Sequence, residues 1–174
     1  MKFIVPQLDR WKPVVGEDGP MPHPSAHADR LLTLEQWHAV REHWPLALRV
    51  GVSVLNAVDI ETLVADLPRI DLVALQFPKW TDGRAYTQAR LLRTRYGYRG
   101  ELRATGEVLV DMLPLLARTG FDAAQLRADQ KIDAARRALG FFAGHYQSDA
   151  VGNRPVFAHA DAPAVAPVLA NSGA

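Results

Sequence analysis

Six arginines, at positions 84, 90, 93, 95, 99 and 103, share one short stretch with a single carboxylate, Glu101. The whole chain has a formal net charge of only +1, so this cation excess is a local feature. A guanidinium is a planar fork of donors that matches a planar or tetrahedral oxyanion. The stretch opens with Asp82-Gly83 ahead of residues at helical spacing. Free helix amides and Arg84 together suit a small anion there. The plainer alternative is that Asp82 caps the helix and Arg84 makes a surface ion pair.

Arg103 sits in a short segment, Glu101-Leu-Arg-Ala104, that reads as a strand. Alternation places Glu101 and Arg103 on one face and Leu102 and Ala104 on the other. A charged pair on a sheet face either lines a polar pocket, with Gln76, Asp82 and Glu107 as neighbours, or locks strands together as an ion-pair network. Asp111 completes the set of candidate residues for an anion-binding or polar cluster: Asp82, Arg84, Glu101, Arg103 and Asp111. Arg90 and Arg93 lie one turn apart, off the apolar stripe of their helix. They offer a docking surface for an acidic partner, or simply a solvated face. Trp80 stands at a strand end beside the Arg84 loop.

The elements that position these residues follow from periodicity. Residues 47–54, 72–77, 101–104 and 122–126 read as strands, with a further short one at 2–5. Thr33-Leu-Glu-Gln36 has the form of a capping box, and Leu34, Trp37, Val40 and Trp44 continue it as a helix to about residue 44. Asp59 caps a stripe of Ile60, Leu63, Val64 and Leu67. Ala85, Ala89, Leu92 and Tyr96 form another stripe. Leu109, Met112, Leu113 and Leu116 form a third, with Pro114 acceptable in a first turn and Gly120 as its stop. Ile132, Ala135, Leu139, Phe142 and Tyr146 form the last.

Strand and helix thus alternate, which implies parallel pairing. The expected fold is α/β: about four βα units with a parallel sheet, half-(βα)8-barrel-like or small doubly wound, plus an N-terminal helix. Residues 1–30, rich in Pro, Gly and His, read as an irregular arm; 31–146 as one α/β domain; 147–174 as a flexible tail. Four units leave sheet edges uncovered, so a homodimer is expected.

Composition narrows the function. Without Cys there is no disulfide, thiolate nucleophile or Cys-ligated metal within this chain. The His residues show no ligand spacing, so no metal is expected. There is no GxGxxG and no Walker A loop, and no cofactor is expected. The near-neutral charge argues against nucleic acid. No apolar run approaches a membrane span, and Met1–Val5 is too short for a signal peptide. A cytoplasmic protein is the expectation.

The central residues carry a resemblance. Gly51-Val52, Leu75-Gln-Phe-Pro78, Asp82-Gly-Arg84, Tyr86, Gln88-Ala-Arg-Leu-Leu-Arg93 and Gly97-Tyr-Arg-Gly-Glu-Leu-Arg-Ala104 are similar to the bacterial domain-of-unknown-function family 934. Gly106, Val108, Asp111 and Gly120-Phe-Asp122 extend it, over about residues 46–126. Two positions depart from the family pattern: Met112 stands where Gln is usual, and Thr119 where Cys is usual. The resemblance implies a link to assimilatory sulfite reduction, with sulfite reductase as the implied partner. Two roles are open: an accessory or interaction protein with an Arg-lined anion site, or a small enzyme acting on an anionic substrate in sulfur assimilation, an oxidoreductase type of role.

Overall fold

The computed structural model describes residues 1–15, 21–141, 149, 150 and 152. Seven strands form one all-parallel sheet: β1 (Lys2–Phe3), β2 (Lys12–Pro13), β3 (Arg30–Thr33), β4 (Val50–Val54), β5 (Leu72–Phe77), β6 (Glu101–Gly106) and β7 (Ala123–Ala124). Their spatial order is β1-β7-β6-β5-β4-β3-β2. From β2 to β7 the order simply follows the chain. A doubly wound sheet reverses its order part-way, so the fold is of the half-barrel kind.

The first connection forces the sheet to curl. β1 and β2 occupy opposite edges. In a flat seven-stranded sheet those edges would be roughly 29 Å apart. Residues 4–11 join them, and fully extended they would reach about 29 Å at most. Three of them, Pro6–Leu8, are coiled into a 3-10 turn. The edges must therefore bend towards each other, and residues 4–11 cross the concave face.

Each face has its own chemistry, set by the two-residue alternation. Val50, Val52 and Val54 of β4, Val73, Leu75 and Phe77 of β5, and Leu102 and Ala104 of β6 join the main hydrophobic core. The helices cover that face: α1 (Leu34–Val40), the 3-10 helix Ile60–Arg69, α2 (Arg84–Thr94), α3 (Leu113–Thr119) and α4 (Ile132–Leu139). The register aligns the opposite residues, Gly51 with Leu72, Ser53 with Ala74, and Ala74 with Arg103. This second set faces the crossing segment. A Cβ on Gly51 would lie 3.2 Å from the Trp11 ring and 3.1 Å from Leu72, so glycine there makes room for Trp11.

Four strands and a further short one at 2–5 were expected, and seven are present. Of the two additional strands, β2 lies in the stretch 1–30 expected to be an irregular arm, and β3 begins at its last residue, Arg30. Pro13 belongs to β2, an edge strand, where the missing N–H costs no ladder bond. Both edges are strands of only two residues. Edges this short are one way a sheet limits edge-to-edge pairing.

Two helix signals in the sequence act as expected. Thr33 and Gln36 make the full capping box, with bonds of 2.8 and 3.2 Å. Pro114 lies in the first turn of α3, and Gly120 ends it at φ 101°. The stripe at 60–67 is a 3-10 helix rather than an α-helix; Pro68 and the β-branched Ile60, Thr62 and Val64 all disfavour α geometry. The chain after Val40 turns without continuing α1, so Trp44 reaches the core from a turn. The expected helical continuation over 142–146 and nearly all of the 147–174 tail lie outside the described residues.

Candidate functional site at the strand carboxyl ends

In a parallel sheet the loops leaving the strand carboxyl ends are the usual place for ligands. Here the β5–α2 loop carries Asp82 and Arg84. Asp82 Oδ1 accepts from the Arg84 backbone N–H at 3.3 Å and from Nε at 3.0 Å, and Oδ2 accepts from Nη2 at 2.7 Å. The fork of Arg84 is thus filled by its own neighbour. That pairing holds the Asp82 carboxyl well below the usual carboxylate range. Asn56, from the loop after β4, turns its amide towards the same carboxylate without closing a hydrogen bond.

Arg103 belongs to a different group. Its side chain is 1% exposed. Nε and Nη2 donate to Glu101 Oε1 at 2.9 and 2.7 Å, while Nη1 and Nη2 donate to Asp9 of the crossing segment. Lys2 approaches Glu101 at 3.9 Å. Two carboxylates share the buried guanidinium, and Lys2 approaches one of them from the solvent side. The strand alternation behind Glu101 and Arg103 is therefore present, and its use is a buried network. Nothing in the sequence flagged Asp9, because only the crossing of residues 4–11 brings it there.

Among the described residues no hydrogen bond or ion pair joins the Asp82–Arg84 pair to the Arg103 group. Asp111 is exposed in the short turn before α3 and bonds to neither. Gln76, expected as a pocket liner, donates to Ser53 Oγ at 2.7 Å on the concave face. Glu107 instead accepts from Arg127 at 2.8 Å, and Arg127 also grips Asp129 twice at 2.7 Å. Arg127 pulls the Asp129 carboxyl down to about 2. Ser53 was legible from alternation with Gln76 in the neighbouring strand; Arg127 had no signal.

Arg90 and Arg93 have different fates. Arg90 is exposed. Arg93 is 13% exposed and donates to the carbonyls of Gly120 (2.9 Å), Tyr98 (2.6 Å) and Gly100 (3.0 Å), and to the Asp122 carboxylate. Its stem also lies against Gly120, where an added Cβ would come within 2.5 Å of Cγ. Arg93 is a clamp holding the ends of α2, β6 and α3, neither a solvated side chain nor an open docking surface.

The two departures from the family pattern have local roles. Thr119 Oγ1 donates to Leu115 and Leu116 carbonyls at 2.9 and 3.2 Å, closing the end of α3. Met112 Sδ accepts from the Leu109 N–H at 3.3 Å, a bond that a Gln side-chain oxygen would also accept.

Clefts of about 200 and 320 Å³ lie at the amino ends of β4–β6, and one of about 290 Å³ lies beside β1. None of these three is lined by Asp82, Arg84 or Asp111. Among the described residues no group of three or more His, Asp or Glu is placed to hold a metal ion. No helix of the described residues is long and apolar enough to cross a membrane.

The model of the bacterial proteins of unknown function DUF934 matches residues 51–157. The chain belongs to that family. In this DUF934 protein the match takes in β4 to β7 and leaves β1 to β3 outside it, so Asp9 reaches the family core from beyond the matched segment. No curated protein matches the chain.

Proposed function

We propose that this DUF934 protein is an accessory or interaction protein supporting assimilatory sulfite reduction in the cytoplasm, with sulfite reductase as its partner. The pathway comes from the family resemblance. The observation that carries the accessory role is the state of the two key arginines: the forks of Arg84 and Arg103 are both occupied by the protein's own carboxylates. A catalytic anion site needs donors held open in a cleft. Here they are spent on structure.

One observation favours the enzyme as second reading. Ser53, Gln76 and Thr105 are half-exposed on the concave face towards the strand carboxyl ends, and Arg84 keeps 59% of its side chain in solvent. An external oxyanion would reach the Arg84 fork by displacing Asp82 from it.

A gene deletion separates the two. The accessory reading expects a growth defect on sulfate that cysteine relieves, reduced sulfite reductase activity in the extract, and no sulfite turnover by the purified protein. Turnover by the purified protein, lost in Arg84→Ala, would replace it with the enzyme. Normal growth on sulfate would remove both.

A further inference from the structure

Trp11, Trp37 and Trp44 are buried, but 56% of Trp80 faces solvent. The way Trp80 is held matters as much as its exposure. The N–H of Asp82 donates to the Lys79 carbonyl at 3.0 Å, closing a turn whose two central residues are Trp80 and Thr81. Asp82 then grips Arg84 at the start of α2 through backbone and guanidinium. The neighbouring β4 loop is fixed from behind: Gln88 Nε2 donates to the carbonyls of Leu55 at 3.1 Å and Val58 at 2.8 Å. That loop presents a second exposed apolar residue, Leu55.

We propose that the Lys79–Asp82 turn is a docking point for an acidic protein surface, with Trp80 as its anchor and the Asp82–Arg84 pair as the clamp that keeps it in shape. This deepens the interaction-protein reading and rests on it. Tryptophan is the residue type most often found to dominate binding energy. A side chain presented by a locked turn loses little freedom on binding. The charges around it select the partner. Lys79 and Arg90 are exposed, Arg84 is paired with Asp82, and the neighbouring β4 loop adds one exposed carboxylate, Asp59, so the surroundings keep a small cationic excess. A basic partner would meet like charge, which costs affinity. A second copy docked symmetrically would set Lys79 and Arg90 against themselves. A membrane is a poorer fit, because anionic lipid is read by clusters of roughly four to eight cations or by an amphipathic helix, and this turn has neither.

The test places a photo-crosslinking benzoylphenylalanine at position 80 of the full chain in cells on sulfate. The control position is Leu46, exposed at the opposite, amino end of the strands. The expected result is one protein adduct at position 80 and none at 46. That protein, purified, should bind wild type, lose affinity as salt rises, and bind Trp80→Ala about tenfold or more weakly. Trp80→Ala should keep the wild-type Tm. An adduct with a second copy, lipid co-sedimentation, equal labelling at both positions, or no adduct would each overturn the inference. Complementation keeps it apart from the pathway reading. If the deletion strain fails on sulfate but Trp80→Ala restores growth fully, the docking point falls and the accessory role stands. If growth is normal without the gene but the purified acidic partner still needs Trp80, the pathway falls and the docking point stands.

Discussion

Asp9 and Arg103 are 94 residues apart in the chain and form a buried ion pair across the concave face of the sheet. The pair fastens to β6 the segment that links one sheet edge to the other. Removing the cation leaves Asp9 and Glu101 facing each other in a nearly dry interior. Arg103→Met is expected to cost about 3–5 kcal/mol, the usual result of stranding a buried charge. Urea denaturation followed by circular dichroism measures it. A midpoint unchanged from wild type would mean that the network does not hold the fold, and would return Arg103 to the list of anion ligands.

Arg90 and Arg93 offer a controlled comparison on one helix. Arg90→Ala should change stability by no more than about 0.5 kcal/mol, as expected of an exposed side chain. Arg93→Ala removes one carboxylate contact and strands three carbonyls, and should cost about 2–4 kcal/mol. Arg93→Lys should recover only part of that, because one ammonium cannot reproduce a fork. Equal losses from Arg90→Ala and Arg93→Ala would show that the clamp does not operate in solution.

The clamp at the Trp80 turn has a pH signature. Arg84 depresses Asp82 below its ordinary value of 3.8. A depressed carboxylate adds stability that is present above 3.8 and is lost as pH falls through its lower folded value. The Asp82 side-chain carboxyl should therefore titrate below 3.8 by NMR, and Arg84→Ala should return it towards 3.8. Asp129, paired with Arg127, should likewise titrate near 2. An Asp82 midpoint at or above 3.8 in the wild type would mean that the pair is open in water.

At the end of α3, Gly120 has φ 101° and lies against Arg93. Gly120→Ala meets both a left-handed backbone and a crowded stem, and should destabilise by at least about 1 kcal/mol. The double variant Gly120→Ala/Arg93→Ala should lose less than the sum of the singles, since the crowding term is shared. Strict additivity in thermal melts would show that the stem contact is not made.

Much of the fold was legible because local chemistry sets it. The apolar run at 72–77 makes a strand wherever it sits among buried neighbours, and its bounds match those of β5. Thr33 and Gln36 satisfy each other's backbone groups within one turn, so the capping box needs no tertiary partner. Pro114 and Gly120 mark the start and end of α3 for similarly local reasons. The strands at 12–13 and 30–33 have no such autonomy. They pair with neighbours brought in by the curl, and a stretch rich in Pro and His gave them no periodic signature.

The βα rhythm, the parallel pairing that follows from it, the helix ends and the crowding of arginines in one stretch are all written in the local order of residues. Those properties depend on residues a few positions apart. What each arginine does depends on the folded chain. Arg84 meets a carboxylate two residues away, Arg93 meets three carbonyls from two segments, and Arg103 meets Asp9 from the crossing segment. A guanidinium has the same charge and the same five donors wherever it stands. Whether it binds a ligand, faces water or holds strands together depends on which acceptors the folded chain brings within about 3 Å, and spacing along the sequence does not contain that information.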